Sequence, residues 1–124
     1  MQTLLCVAAG GALGASGRYL VGIASGRLFG FDFPWGTLVV NVLGCLVMGL
    51  LIEAMALRWT VHNDLRAFLA VGLLGGFTTF SAFSADFGLL FVRDAYLSAA
   101  LYLFASVGLS IAAFFAGLAI VRAL

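Results

Sequence analysis

Gly75-Gly76-Phe77-Thr78-Thr79-Phe80-Ser81-Ala82-Phe83-Ser84 lies inside an apolar stretch from Ala67 to Val92, bounded by Arg66 and Arg93. A stretch of this length can cross the hydrocarbon core of a bilayer, which takes about 20 helical residues at about 1.5 Å rise each. Glycine and β-branched threonine are weak helix formers, and two of each meet in the middle of this span. The expectation is therefore a helix broken at Gly75–Thr79, near mid-membrane. Broken backbone at that depth is tolerated only where it is buried in protein or lines a wet cavity. It also frees carbonyl oxygens, which suit a hard cation.

Working outward, polar residues cut the rest of the chain into three more apolar stretches, Thr3–Ala24, Trp35–Leu57 and Tyr96–Val121. The connections 25–34, 58–66 and 93–95 are short, and Pro34 falls just before the second span, where a missing N–H costs least. The expected fold is all-α: one transmembrane domain over residues 1–124 with four spans and no room for a soluble domain. Composition agrees, since 65% of the residues are hydrophobic and only 9% are charged. A soluble domain carries about a quarter charged residues, so most of this surface must face lipid. The six basic residues are all arginine and the net charge is +1, which leaves no basic face for nucleic acid. Met1 to Gly17 carries no Lys or Arg, so the first span lacks the charged leader of a signal peptide and is expected to stay in the mature protein. Cys6 and Cys45 sit in apolar runs without C-x-x-C or Cys/His spacing, and read as small buried thiols. No nucleophile–base pair or metal cluster marks an enzyme.

Small residues recur four apart at Gly10, Gly14, Gly22 and Gly26, at Gly72 and Gly76, and at Ala113 and Gly117. Such spacing lets helices approach closely in lipid, either within one chain or between subunits. Four helices enclose little interior, so an oligomer is expected. Both termini share one side of the membrane with Arg58, Arg66 and Arg122; the other side holds Arg27 and Arg93, plus Arg18 if it snorkels outward. Membrane proteins normally show a clear Lys/Arg excess on the cytoplasmic side. A chain without it can insert both ways, which opens the route to an antiparallel dimer.

Polar groups inside hydrocarbon each need a reason. Asn41 lies near the middle of the second span with Thr37 one turn before it. It either joins helices by a hydrogen bond or donates into a pathway. Phe77, Phe80, Phe83, Phe87 and Phe91 fall on one face about 120° wide if the helix runs through. That face is either greasy contact or a row of ring edges, and Ser81 and Ser84 on or beside it are odd for a lipid contact. Aromatic edges are positive, so rings, an amide and hydroxyls together could replace water around a small anion. Tyr102, Ser106 and Ser110 form a hydroxyl stripe on the fourth span, drifting about 40° per step. Arg18 either attracts anions to a pore mouth or snorkels. Glu53 and Asp86 fall near span ends, Asp32, Asp64, Arg66 and Asp94 read as interfacial, and His62 reads as solvated.

Three runs together resemble the Fluc (CrcB-type) family of fluoride channels: Gly10-Gly11-Ala12-Leu13-Gly14-Ala15-Ser16-Gly17-Arg18-Tyr19, Gly36-Thr37-Leu38-Val39-Val40-Asn41-Val42-Leu43-Gly44, and the stretch from Gly75 to Ser84. The resemblance covers the whole chain. It implies a dual-topology homodimer with two antiparallel pores in the bacterial inner membrane. It further implies that Phe80 and Phe83 are pore phenylalanines, Asn41 the pore amide, and Tyr102, Ser106 and Ser110 a polar track, with Arg18 in the vestibule. Thr37, Ser81 and Ser84 join this pore set as neighbours of those residues. Gly75 and Thr78 would offer backbone carbonyls to a structural sodium ion at the dimer centre. Two positions depart from the family pattern: Ala82 stands where threonine is common, and Phe114 stands one turn past Ser110, where the track would continue.

The expected function is passive, fluoride-selective export, with dehydration of the ion offset by fixed donors and ring edges. The rivals are a proton-coupled exporter resembling the small multidrug resistance transporters and a non-transporting assembly subunit. The former needs a mid-membrane carboxylate, which the first span lacks. The latter leaves Asn41 and the Tyr102 stripe without a purpose beyond packing.

Overall fold

The computed structural model describes residues 1–124, which form helices and short connections with no strand. The elements are α1 (Gln2–Phe29), α2 (Trp35–Leu57), α3 (Asn63–Arg66), a π-helical segment (Ala67–Leu74), α4 (Gly75–Phe77), α5 (Ser81–Val92) and α6 (Tyr96–Ala123). Taken with Asn63–Val92 as one rod, four helical stretches are long and apolar enough to cross a membrane.

The ends of these rods follow local chemistry. α1 continues past Ala24 to Phe29, which puts Arg27 in its last turn, where the helix dipole favours a cation. Gly30 then stops the helix at φ 85, a conformation that costs glycine nothing, and its N–H donates to Gly26 O at 2.9 Å. α5 closes with Asp94 at φ 61. The N–H groups of Asp94 and Ala95 reach back to Phe91 O at 3.1 Å and Leu90 O at 3.0 Å. His62 caps α3: its exposed ring accepts the Asp64 N–H on Nδ1 at 3.3 Å.

Between α4 and α5 the helical ladder is interrupted, at residues 78–80 and not from Gly75 as expected, because Gly75–Phe77 keeps helical backbone. Thr78 is extended, at φ −84 and ψ 158, and α5 resumes only at Ser81. The single aromatic face expected from a helix that runs through is accordingly divided. Phe77 lies beside Gly17 and Gly44, Phe83 is 7% exposed against Tyr102, and Phe80 is 76% exposed on the outside. The rotation of about 100° per residue does not carry across extended backbone.

α2 packs on α6, and α1 packs on the π-helical segment and α4. Glycine makes both contacts possible. A Cβ on Gly72 would stand 2.7 Å from Val7 O, one on Gly76 would stand 2.8 Å from Gly11 O, and one on Gly117 would meet Leu46 O. A Cβ on Gly36 would likewise stand 2.9 Å from the Gly22 Cα. Of the small residues at four-residue spacing, Gly10, Gly14, Gly72, Gly76 and Gly117 thus pack helices within one chain, whereas Gly26 faces the Phe31 ring of the following connection. A small core of Leu38, Phe83, Leu90, Ala99 and Tyr102 joins α2, α5 and α6. Only 19 of 124 residues are buried, so much apolar surface is left for lipid or another chain. Glu53, buried on α2, pairs with Arg122 of α6.

Candidate functional site

Asn41 sits at the centre of the site because α2 carries it directly opposite the interruption in the third span. Its Nδ2 donates to Thr79 O at 2.9 Å, and the Thr79 N–H donates back to Asn41 Oδ1 at 2.8 Å. The amide therefore clamps one peptide unit on both sides, and one Nδ2 hydrogen is left over. Thr79 uses its hydroxyl as an N-cap threonine does, accepting the Ala82 N–H at 3.1 Å with Ser81 Oγ 3.3 Å away. Thr78 Oγ1 turns back to Leu74 O at 2.9 Å. Arg18 donates through Nε to Gly76 O at 3.1 Å, which fixes one edge of its guanidinium at the interruption.

These bonds decide which carbonyls are free. In a regular helix the Gly75 carbonyl would accept the Thr79 N–H, and the Thr78 carbonyl would accept the Ala82 N–H. Both donors are instead given to side chains, Asn41 Oδ1 and Thr79 Oγ1. Gly75 and Thr78 thus each present a carbonyl oxygen relieved of its helical partner, and Gly75 is exposed on the outside of the chain. Neutral oxygen ligands of this kind fit a hard monovalent cation such as sodium.

Beside the interruption lies a cavity of about 460 Å³. Its walls include Asn41, Thr78, Thr79, Phe80 and Phe83 on one side and Ser106 and Ser110 of α6 on the other. The Phe80 and Phe83 rings are tilted with centroids 5.5 Å apart. The hydroxyls of Ser106 and Ser110 are buried and have no hydrogen-bond partner. Cys45 and Gly75 also face the cavity, while Arg18 and every other charged residue stay outside its lining.

Not all the expected pore residues meet here. Tyr102 is fully buried, yet its hydroxyl donates to Asp86 Oδ2 at 3.1 Å, and Thr37 Oγ1 donates to the same oxygen at 2.7 Å. The hydroxyl stripe is therefore split: Ser106 and Ser110 line the main cavity, whereas Tyr102 and Thr37 serve a carboxylate. Thr37 and Asp86 border a separate space of about 280 Å³ with Gly22, Pro34 and Gly36. Ser81 and Ser84 are exposed on the outer face of α5. Ala82 is absent from the cavity lining, so the missing hydroxyl there changes no wall. Phe114 instead lines a neighbouring space of about 240 Å³, shared with Cys45 and Ser110.

Sequence reading missed Asp86 as a site residue. The signal was available, because Asp86 is the one carboxylate between Arg66 and Arg93, and a carboxylate within a span calls for partners. The role of Thr79 as cap and clamp partner left no such signal, since it depends on where α2 places Asn41.

Comparison with known proteins now adds to the geometry. A model of the family described as "CrcB-like protein, Camphor Resistance (CrcB)" matches residues 5–118. The chain is 52% identical to a protein of Chelativorans sp. (strain BNC1) over all of this chain and 99% of that one; the relative is called fluoride-specific ion channel FluC. A protein of the same name from Rhizobium etli is 54% identical over all of this chain and 99% of its own length. Another, from Caulobacter sp. (strain K31), is 54% identical over 98% of this chain and 96% of that one. Four apolar helical stretches and a family match across nearly the whole length make this a multi-pass membrane protein, and the chain belongs to the CrcB-like family.

Proposed function

We propose that this chain forms a passive channel that lets fluoride leave the cell. The observation that carries the reading is the pair of buried, unpartnered hydroxyls of Ser106 and Ser110 facing Asn41, Phe80 and Phe83 across one cavity. A buried donor without an acceptor is costly, and a small anion is the partner that uses such donors best. Hydroxyls, the spare Asn41 N–H and positive ring edges compensate dehydration without a full charge that would hold the ion too tightly to leave. The relatives' names point to the same ion. Such a channel couples to no second substrate and carries out no covalent chemistry. Expression in a bacterium that lacks fluoride export tests this. Growth is expected at fluoride levels that arrest the parent strain, and a failure to restore growth by a chain that reaches the membrane contradicts the reading.

Phe80→Met separates ring chemistry from packing. Methionine roughly keeps the volume while removing the positive edge. A ring-edge contact is worth about 1 kcal/mol, and about 1.4 kcal/mol at a rate-limiting barrier is tenfold. Fluoride flux is expected to fall severalfold in a chain that is still folded, and Phe83→Met is expected to do the same. Parental flux in both variants would make the rings packing alone.

The working unit in this reading is an antiparallel homodimer with two pores, embedded in lipid of the bacterial inner membrane. The third span acts as a broken helix. Gly75, Phe80, Ser81 and Ser84 lie exposed around its interruption, and polar groups left against lipid at that depth are costly. A second copy laid over this face covers them. The near balance of arginines across the membrane favours insertion in both directions. A tag on the C-terminus is expected to be accessible from both sides of the membrane in one population. A single orientation for every molecule would contradict the antiparallel arrangement.

At the centre of that dimer, the Gly75 and Thr78 carbonyls of both copies are the ligands for a structural sodium ion. When bound, the ion supplies a fixed positive charge that the freed carbonyl dipoles share. Asn41 and Thr79 keep those carbonyls free by holding the N–H groups that would otherwise close the ladder.

A further inference from the structure

A second, apolar groove runs between the C-terminal parts of α2 and α6, sharing no residue with the pore cavity, and encloses about 310 Å³. Val47, Leu51, Ala54 and Val121 wall it, and Arg58 and Trp59 stand at the end where α2 stops. Arg58 is the C-cap residue of α2, so it lies at the boundary between the apolar span and water. The groove follows α2 from Val47 to its end at Leu57, a rise of about 15 Å, with Arg58 and Trp59 just beyond. One leaflet of the hydrocarbon core is about 15 Å deep, so the groove accommodates one acyl chain lying along the helix.

The charge at its mouth is unmatched. Arg122, on the neighbouring helix, is neutralised by Glu53, and the other ion pair joins His62 to Asp64. Arg58 makes no ion pair and donates no hydrogen bond inside the protein, although Leu124 at the end of α6 lines the same groove. A guanidinium in this setting matches a phosphate group in a bidentate manner. Trp59 is 55% exposed beside it, and indole rings favour the headgroup level of a membrane.

We infer that this groove holds one anionic glycerophospholipid, with an acyl chain along α2 and α6 and its phosphate on Arg58. Basic pockets between membrane helices recognise lipid headgroups in this way, and here the apolar trough selects a lipid over free phosphate. The inference does not depend on which ion the chain conducts.

The test uses the full chain, purified and stripped of lipid in detergent. Phosphatidylglycerol and phosphatidylcholine with the same acyl chains are titrated in, and bound lipid is counted by native mass spectrometry. The parent chain is expected to prefer phosphatidylglycerol about fivefold, the equivalent of about 1 kcal/mol for one arginine at an anionic lipid surface. Arg58→Gln is expected to bring the two lipids within twofold of each other. Arg66→Gln, which removes the same charge outside the groove, is expected to leave the preference intact. Val47→Trp, which fills the trough from its exposed rim, is expected to lower retention of both lipids severalfold with helicity unchanged. Equal affinity of the parent for both lipids overturns the proposal, as does an equal loss of preference in Arg58→Gln and Arg66→Gln. Efficient cross-linking between two copies through Val47→Cys also overturns it, because a second chain would then cover the groove.

Discussion

Asn41→Asp is expected to lower fluoride passage more than about a hundredfold in a chain that still folds. The two side chains have nearly the same shape, and the introduced carboxylate can still accept the Thr79 N–H that Asn41 Oδ1 accepts at 2.8 Å. What changes is charge beside the cavity that Asn41 lines. A negative charge about 5 Å from a passing anion, at an effective dielectric of about 20, opposes it by about 3 kcal/mol. At a tenfold slowing per about 1.4 kcal/mol, that exceeds a hundredfold. The bond from Nδ2 to Thr79 O is lost as well, which loosens the peptide that caps α5. Flux from reconstituted vesicles, read beside circular dichroism and size-exclusion behaviour, separates a closed path from an unfolded chain. Parental flux would show that the ion does not pass Asn41.

Complete removal of sodium is expected to abolish flux outright, whichever way the sodium gradient had pointed. The proposed ligands are backbone carbonyls whose helical donors are taken by Asn41 and Thr79. Without a cation, oxygen dipoles from two copies would face one another across a dry interface, with no water to solvate them. The dimer centre would have to rearrange, and Asn41 and Phe80 are tied to it through Thr79. Vesicles and bath made with a large organic cation in place of sodium provide the measurement. The expected trace is background leak, restored when sodium is added to either side. Unchanged flux after thorough exchange would contradict a structural ion, and flux that follows the direction of a sodium gradient would point to coupled transport.

Much of the architecture was legible because polarity punctuates this sequence sharply. The second span ends at Trp35 and Leu57 in both sequence and structure, set by Pro34 on one side and Arg58 on the other. α1 outruns its apolar stretch by several residues, since Ser25, Gly26 and Arg27 look like a connection yet remain helical at an interface where Arg27 complements the helix end. The π-helical winding of Ala67–Leu74 left no trace in composition, since alanine and leucine favour an ordinary α-helix. Within the site, the cavity brings together Asn41, Gly75, Thr78, Phe80, Phe83, Ser106 and Ser110. Tyr102 could not be separated from Ser106 by periodicity, because the difference lies in Asp86 on another helix. The same long-range dependence hid the alliance of Thr37 with Asp86. Spacing reports which residues share a face of one helix, and it is silent on what the opposing helix offers them.

Purified chain reconstituted into liposomes loaded with potassium fluoride or potassium chloride, with sodium present throughout, gives the decisive comparison. On addition of a potassium ionophore, fluoride is expected to empty rapidly while chloride stays at the rate of protein-free vesicles. Equal efflux of the two ions, or no fluoride efflux from folded protein, would contradict a fluoride-selective pore.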